Sequence, residues 1–364
     1  MNCRKLIFWN FASILRHIAL PAAAAAVLLS PACSKVAEAG PSDESGDWIS
    51  FTSRSPKTRA GAGDTQTDTD AKLQKEPFGI YGFKSLDGTN NLANVFISSN
   101  AQEVGWGVTG GNATSPTYGW TYSPKRKWEN SMHYSFRAYW PYSAEVNPAS
   151  NATRIGIEYK STTMNYDLLV AYATRYPLAE GMGPVKMQFH HALAGLRFYI
   201  RFYDKDDSTK GMKNSVTRFY LKGLYSVGHL IYGVRESGDD AQKIQWILSE
   251  NTFDGSNELF TWSGKEEFSR GQAATDTDKT AQVFDNDKLV FVIPQTLSSD
   301  AGATTANFYT ENSGDALHSV KLPETELLPG KIYTFTFVIH SSYVTVNVSI
   351  KDWEVLQSNV DINL

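Results

Sequence analysis

Histidine and carboxylate side chains give little support for catalysis or metal binding in this sequence. His190 and His191 are adjacent, and neighbouring residues of a strand face opposite sides, so we expect one in the core and one on the surface rather than a shared metal ion. Asp64, Asp68 and Asp70 lack the glycine and the terminal glutamate of a calcium loop. No nucleophile elbow, zinc-protease motif or phosphate-binding glycine loop is present. We therefore predict no catalytic residue, metal or cofactor. A carboxylate pair that meets only in the fold, as in a glycosidase, is the enzymatic alternative.

Tryptophan and tyrosine rings offer a different chemistry, because their faces stack on sugar rings. Trp106 and Trp120 flank a loop rich in glycine, threonine and serine, and they are our candidate glycan contacts. The alternative is that large rings fill hydrophobic cores, which accounts for most of the tryptophans.

The two cysteines, Cys3 and Cys33, both lie near the start of the chain, so no disulfide framework is expected. Basic residues precede an apolar run from Ile18 to Leu29, which is too short to cross a bilayer as a helix. This order is that of an export signal, and we expect residues 1–32 to be removed.

The residues around the expected cut, Ala32-Cys33-Ser34-Lys35, resemble the processing site of a bacterial lipoprotein. In that class the thiol of the first mature residue, here Cys33, carries a lipid that attaches the protein to a membrane. Pro31 departs from the usual small residue. An ordinary secretory leader with a coincidental cysteine is the alternative.

The charge balance excludes nucleic acid as a partner. The chain has 34 Lys and Arg residues against 38 Asp and Glu residues, a formal net charge of −4, so it has no basic field to attract nucleic acid. No later stretch reaches the roughly 20 apolar residues of a membrane-spanning helix.

Apolar residues alternate with polar ones at a period of two along most of the chain. Examples are Phe78–Phe83, Tyr134–Trp140, Ala192–Phe202, Lys331–Ile339 and Tyr343–Ile350. No helical stripe of useful length occurs after residue 32. This pattern predicts an all-β protein of antiparallel sheets packed as sandwiches.

The length favours two domains. A segment rich in proline and glycine, residues 176–184, is the expected joint, which gives an N-terminal β-sandwich domain at 48–183 and a C-terminal one at 184–364. Residues 33–47 are polar and small, which is typical of a flexible tether.

A short strand is predicted at Trp48–Ser53, where Ile49 and Phe51 share one face. It stands between two polar stretches, residues 34–47 and 54–70. Because a polar linker stands on each side of this strand, the neighbouring sequence does little to hold it in place.

The last eleven residues, Glu354–Leu364, also alternate. Leu356, Ser358, Val360, Ile362 and Leu364 share one face, as in a strand that inserts one side into a groove. Fully extended, eleven residues span about 35 Å. This strand could complete the chain's own C-terminal sandwich or serve a partner.

Taken together, several segments resemble the fimbrillin (Mfa-like) family, which comprises lipoprotein precursors of surface pili in Gram-negative anaerobes. The matching pieces follow one another along the chain: Ala32–Lys35, Ile49–Phe51 with Thr58–Ala60, Phe78–Phe83, Phe189–Ala194, Leu328–Tyr333 and Ile350–Trp353.

The resemblance implies two transthyretin-like β-sandwich domains in tandem and assembly by strand exchange. In such pilins a trypsin-like protease cuts after an arginine near the N-terminus, which removes the lipid and the first strand, and a neighbour's terminal strand refills the groove. Arg59 takes the cut position here, and Leu356, Val360, Ile362 and Leu364 belong to the donor strand. An exposed linker arginine that is never cut is the alternative for Arg59.

The function implied is that of a structural, non-enzymatic subunit of a fimbria on the outer membrane. Its partners would be other fimbrial subunits, the membrane through lipid on Cys33, and the processing protease. A tip adhesin or surface glycan-binding lipoprotein, with Trp106 and Trp120 at the sugar, is the alternative.

Overall fold

A computed structural model describes the chain from residue 47 to residue 353 with internal gaps. The described ranges are 47–54, 73–88, 93–96, 100–143, 149–150, 155–161, 166–205, 207–232, 244–249, 258–273, 275–284, 289–298, 303–311, 316–340 and 342–353.

These ranges contain 23 strands. In chain order they are β1 (Phe51–Arg54), β2 (Phe78–Ser85), β3 (Ala93–Asn94), β4 (Gln102–Asn112), β5 (Ser115–Thr121), β6 (His133–Trp140), β7 (Ala149–Ser150), β8 (Ile155–Lys160), β9 (Leu169–Arg175), β10 (Val185–His191), β11 (Ala194–Phe202), β12 (Lys213–Lys222), β13 (Val227–Tyr232), β14 (Gln245–Leu248), β15 (Leu259–Ser269), β16 (Ala281–Val283), β17 (Val290–Val292), β18 (Thr296–Leu297), β19 (Thr305–Thr310), β20 (Ala316–Lys321), β21 (Thr325–Glu326), β22 (Lys331–Ile339) and β23 (Val344–Asp352).

Helix is scarce among the described residues, and its longest pieces are one α-helical turn at Pro177–Glu180 and one 3-10 turn at Asp207–Thr209. The predicted all-β class is therefore confirmed. No helix in the described ranges has the length and apolar character needed to cross a membrane.

The first sandwich is built on the largest sheet, whose strand order is β1-β10-β9-β6-β2-β4-β5, with β3 paired to β2. In β2 and β6 this sheet is apolar on both faces, because these strands carry large residues at successive positions. In β6, Phe136 lies in one core and Tyr139 lies in the other. The second core is closed by residues of the sheet β14-β13-β8-β7.

The second sandwich packs the sheet β16-β11-β22-β23, with β17 paired to β11, over the sheet β15-β12-β19-β20. Its core is rich in phenylalanine, including Phe198, Phe219, Phe308, Phe335 and Phe337. The alternation of Leu196, Phe198 and Ile200 along β11 places all three in this core, as the sequence pattern predicts.

Strand pairing crosses the expected joint between residues 183 and 184. β10 follows that joint but pairs with β9 and β1 of the first sheet, and β13 pairs with β8, which precedes the joint. Residues 45–364 cluster as one compact unit. By pairing, β10 belongs to the first sandwich, and the β13–β14 hairpin from the second half of the chain completes it.

This pairing predicts that Leu230→Ala in β13 destabilises the first sandwich. Leu230 is fully buried and lies opposite Ile157 of β8, so its truncation leaves a cavity and should lower the free energy of unfolding by about 2–5 kcal/mol. Urea unfolding measures the change. Ile247→Ala, at an exposed position in β14, is the control and should change stability by less than about 0.5 kcal/mol. Equal effects of the two variants would contradict the described packing.

Candidate functional site

The predicted first strand lies at an edge of the largest sheet. β1 runs parallel to β10, with Phe51 opposite Val185 and Arg54 opposite Gln188. The Val185 N–H donates to the Ser50 carbonyl at 2.8 Å. β1 therefore covers the backbone edge that β10 would otherwise expose.

A second segment, residues 126–128, forms hydrogen bonds with residues 47–49, which lie just before β1. The Ile49 N–H donates to the Arg126 carbonyl at 2.8 Å, and the Trp128 N–H donates to the Asp47 carbonyl at 2.8 Å. The Lys127 ammonium lies 4.9 Å from the centre of the Trp48 ring. Nothing in the sequence pattern indicates this contact, because the two segments are far apart along the chain.

Ile49 and Phe51 fill the first core from this edge, with exposures of 0% and 4%. The Phe51 ring contacts three aromatic rings, at centroid distances of 5.4 Å to Phe136, 5.7 Å to Tyr122 and 6.3 Å to Phe78. The shared face predicted for Ile49 and Phe51 is thus confirmed. Burial of two side chains of this size contributes about 1.5–3 kcal/mol each.

Two buried polar groups complete the contact. The Trp120 indole N–H donates to the Ser53 hydroxyl at 2.7 Å, and the Tyr122 hydroxyl donates to the Ile49 carbonyl at 3.0 Å. Burial raises the pKa of the Tyr122 phenol to about 12, so this donor stays protonated at neutral pH. We call the cavity that receives Ile49, Phe51 and Ser53 the β1 slot; its walls include Phe78, Trp120, Tyr122, Phe136 and Val185.

The described structure ends on a fixed aromatic ring. Trp353 is buried, and its indole stacks on His191 at 4.2 Å and on Phe291 at 5.5 Å between ring centroids. The Trp353 N–H donates to the Gly330 carbonyl at 2.9 Å, and His191 Nδ1 lies 2.6 Å from Asp167 Oδ2. Trp353 therefore sets the point from which residues 354–364 continue. Sequence reasoning did not assign it this role.

Several predicted site residues lie outside the described residues: Cys33, Arg59, Leu356, Val360, Ile362 and Leu364. Their roles stay predictions. The described chain borders them, because β1 ends five residues before Arg59 and Trp353 precedes the tail.

The two candidate glycan contacts are neighbours on the β4–β5 hairpin, with ring centroids 5.3 Å apart. Trp106 is 38% exposed, whereas Trp120 is 5% exposed and packs against Phe78 at 4.8 Å. Val108 and Tyr118, further along the same hairpin, are also exposed. Trp106 is therefore presented to solvent, and Trp120 is a wall of the β1 slot.

The adjacent histidines occupy different surroundings. His191 is buried beside Asp167, while His190 is half-buried, and burial lowers the pKa of His190. The prediction of one core histidine is confirmed by His191, whereas His190 is half-buried rather than at the surface. Across the described ranges, no three histidine, cysteine, aspartate or glutamate side chains gather as metal ligands.

The chain is similar to a family of known proteins. A family model described as fimbrillin-like matches residues 58–353. The fold is similar to that of a fimbrial protein from Bacteroides vulgatus, with a TM-score of 0.58 and 15% identity, covering 85% of this chain and 100% of that one. No protein with a curated description matches the chain.

Two further solved structures are similar at lower scores; both are candidate cell adhesion proteins. The one from Bacteroides uniformis has a TM-score of 0.47 and 14% identity, covering 86% of this chain and 100% of that one. The one from Bacteroides ovatus has a TM-score of 0.45 and 16% identity, covering 86% and 99%.

The slot geometry predicts that Phe51→Ala weakens the attachment of β1. The variant removes a ring with three aromatic neighbours and should lower the free energy of unfolding by about 3–5 kcal/mol, as seen in urea unfolding followed by tryptophan fluorescence. Thr52→Ala, on the exposed opposite face, is the matched control and should unfold like the parent protein. If both variants unfold like the parent, β1 does not stabilise the first core.

Proposed function

Because this chain belongs to the fimbrillin-like family, we propose that it is a structural subunit of a cell-surface fimbria. In this proposal the chain is exported as a lipoprotein through Cys33, loses its first strand by cleavage after Arg59, and accepts the terminal strand of another subunit in the β1 slot. The observation that carries the proposal is the position of β1: a four-residue edge strand whose removal would uncover both a sheet edge and an apolar slot.

Removal of β1 would create a surface that a second strand satisfies. The β10 edge would present unpaired backbone groups, which pair readily with another chain. The pockets of Ile49 and Phe51 would become open apolar cavities beside Phe78 and Phe136. Strand addition to an exposed sheet edge obtains affinity from backbone hydrogen bonds and specificity from such pockets.

Arg59 is well situated for the cut. It follows β1 closely, so cleavage after Arg59 separates β1 from the rest of the fold while leaving the described strands from Phe78 onward in one chain. The lipid on Cys33 would leave with β1, since Cys33 precedes it. A processed subunit would then be released from the membrane at the same step that opens the slot.

The tail supplies a matching donor. Leu356, Val360, Ile362 and Leu364 alternate with polar residues, and Trp353 fixes the start of this segment to the fold. An apolar alternating strand without a partner promotes aggregation, so a partner is expected. If the segment instead completed its own second sandwich, removal of residues 360–364 would destabilise the monomer rather than prevent assembly.

We predict that Arg59→Ala blocks processing and leaves a lipid-anchored monomer. N-terminal sequencing of the surface protein should find Ala60 as the first residue of the parent chain and no start at residue 60 in the variant. Native gels of surface extracts should show polymers of the parent chain only.

The control is Lys57→Ala, which removes a nearby basic residue and should leave both processing and polymers intact. Polymers of normal length from the Arg59 variant would remove this residue from the mechanism.

A second candidate function, glycan binding by a tip adhesin, is favoured by the exposed rings of the β4–β5 hairpin. Trp106 and Tyr118 are both exposed on it and share one face, because Trp106 pairs with Trp120 and Val108 pairs with Tyr118. Exposed aromatic faces suit the apolar side of a sugar ring.

For this candidate, Trp106→Ala should abolish binding on a glycan array without a change in unfolding midpoint. Tyr343→Ala, at an exposed aromatic position on the second sandwich, is the control and should leave binding unchanged. An array on which the parent chain binds no glycan would exclude this function.

A further inference from the structure

The β1 slot requires three side chains in a fixed order. The positions of Ile49 and Phe51 are apolar pockets, and the position of Ser53 must supply a hydrogen-bond acceptor. Trp120 is buried, and Ser53 is the one acceptor of its indole N–H among the described residues. A replacement strand without an acceptor there would leave a buried donor unpaired, which is costly.

The tail meets this requirement in one direction only. On its inward face the residues Ile362, Val360 and Ser358, read toward the N-terminus, repeat the order of two apolar residues followed by a hydroxyl. Ser358 is the one hydroxyl residue on that face.

A tail that runs in the direction of β1 fails in every register of this face, because Ser358 alone offers a hydroxyl and the register that uses it is unfavourable. With Ser358 at the Ser53 position, Glu354 would enter the pocket of Ile49, which is fully buried, and a carboxylate is strongly disfavoured there. With Val360 and Ile362 in the two pockets, Leu364 would lie at Ser53 and would offer the Trp120 N–H no acceptor.

The backbone hydrogen bonds to β10 also favour a tail that runs opposite to β1. β1 pairs in parallel with β10, whereas every other pair of the largest sheet is antiparallel, including β10 with β9 and β6 with β2. Parallel pairing is slightly less stable per residue than antiparallel pairing. An antiparallel strand on β10 would therefore form the better ladder.

On the basis of the function proposed above, we propose that the tail of a second copy enters the β1 slot antiparallel to β10, opposite in direction to β1. Ile362 takes the place of Ile49, Val360 that of Phe51 and Ser358 that of Ser53. In this register Asn359 lies opposite Lys186, at the position that Thr52 holds in β1. Ser358 fixes the register through the Trp120 N–H.

Disulfide cross-linking between two copies tests the direction. Lys186→Cys in one full-length chain is co-expressed with Asn359→Cys in another, or with Asn363→Cys, which is the partner expected for the parallel register. The natural cysteines Cys3 and Cys33 precede Arg59 and are absent from the processed chain. We expect a cross-linked dimer from the Asn359 pair and none from the Asn363 pair. The reverse result, or no cross-link from either pair, would overturn the proposal.

A pair of cavity-filling variants provides a second measurement. Val360 is smaller than the Phe51 ring that it replaces, so Val360→Phe should fill the pocket and lengthen the half-life of the polymer in urea by about tenfold. Ile362→Phe would force a ring into the pocket of Ile49 and should reduce polymer formation. A parallel donor predicts the opposite ranking of these two variants.

The register is tested by Ser358→Ala, which removes the acceptor and should shorten the polymer half-life by about tenfold. Gln357→Ala changes the neighbouring outward position and is the matched control. Equal half-lives of these two polymers would contradict the role of Ser358.

Deletion of residues 360–364 distinguishes this inference from the function on which it rests. Normal polymers from the truncated chain would reject donation of the tail altogether. Loss of polymers on truncation, combined with a cross-link at Asn363 rather than Asn359, would retain strand donation and reject only its direction.

Discussion

The free edge of β10 is the constraint on which the first sandwich depends. A sheet edge with apolar pockets on one face has to be covered, because unpaired backbone groups and open cavities both destabilise the fold. The opposite edge of the same sheet, β5, is protected by its composition, with Pro116, glycine and threonine along a largely exposed hairpin. The β10 edge has no such protection and depends on the four residues of β1.

β10 also connects the β1 slot to Trp353, the residue that precedes the tail. Val185 and Met187 face the first core, where Ile49 and Phe51 lie, whereas His191 at the other end of β10 stacks on Trp353. At about 3.3 Å per residue, the six steps from Val185 to His191 span about 20 Å. The strand that receives a segment in the proposed assembly is therefore the strand that anchors the segment to be donated.

The interleaved topology makes this connection rigid. The β13–β14 hairpin returns from the second half of the chain to close the core beneath β10 and β9, and Trp246 donates its indole N–H to the Ala192 carbonyl at 2.8 Å. Leu193 and Trp353 lie in that same core. A change at the β10–β11 corner would therefore be transmitted to both sandwiches.

Alternation predicted the all-β class, strands such as β2, β6, β11 and β22, and the inward face of Ile49 and Phe51, because period two is a local property of the sequence. It was wrong about the stretch between Trp106 and Trp120, which was expected to be a loop and instead forms most of the β4–β5 hairpin. It was not sufficient to predict partners. Ser53 and Trp120 are separated by 67 positions, and no local pattern indicates that they share a hydrogen bond. The local pattern likewise does not assign β13 to the first sandwich, because long-range packing decides which sheet a strand joins. The partners of His191 were not predictable for a related reason, because Trp353 and Asp167 are distant from it in sequence.

The proposed exchange is a competition between two strands for one slot, so its outcome depends on the difference in free energy between them. Before cleavage, β1 is part of the same chain as the slot, and a short tether gives it an effective concentration of the order of millimolar. Cleavage removes that advantage without changing a single contact. The incoming strand then displaces β1 only through differences in the backbone ladder, in the filling of the pockets and in the acceptor that it offers to the Trp120 N–H. In the proposed exchange, the parallel, four-residue β1 protects the slot while it is tethered and is displaced once cleavage has removed the tether.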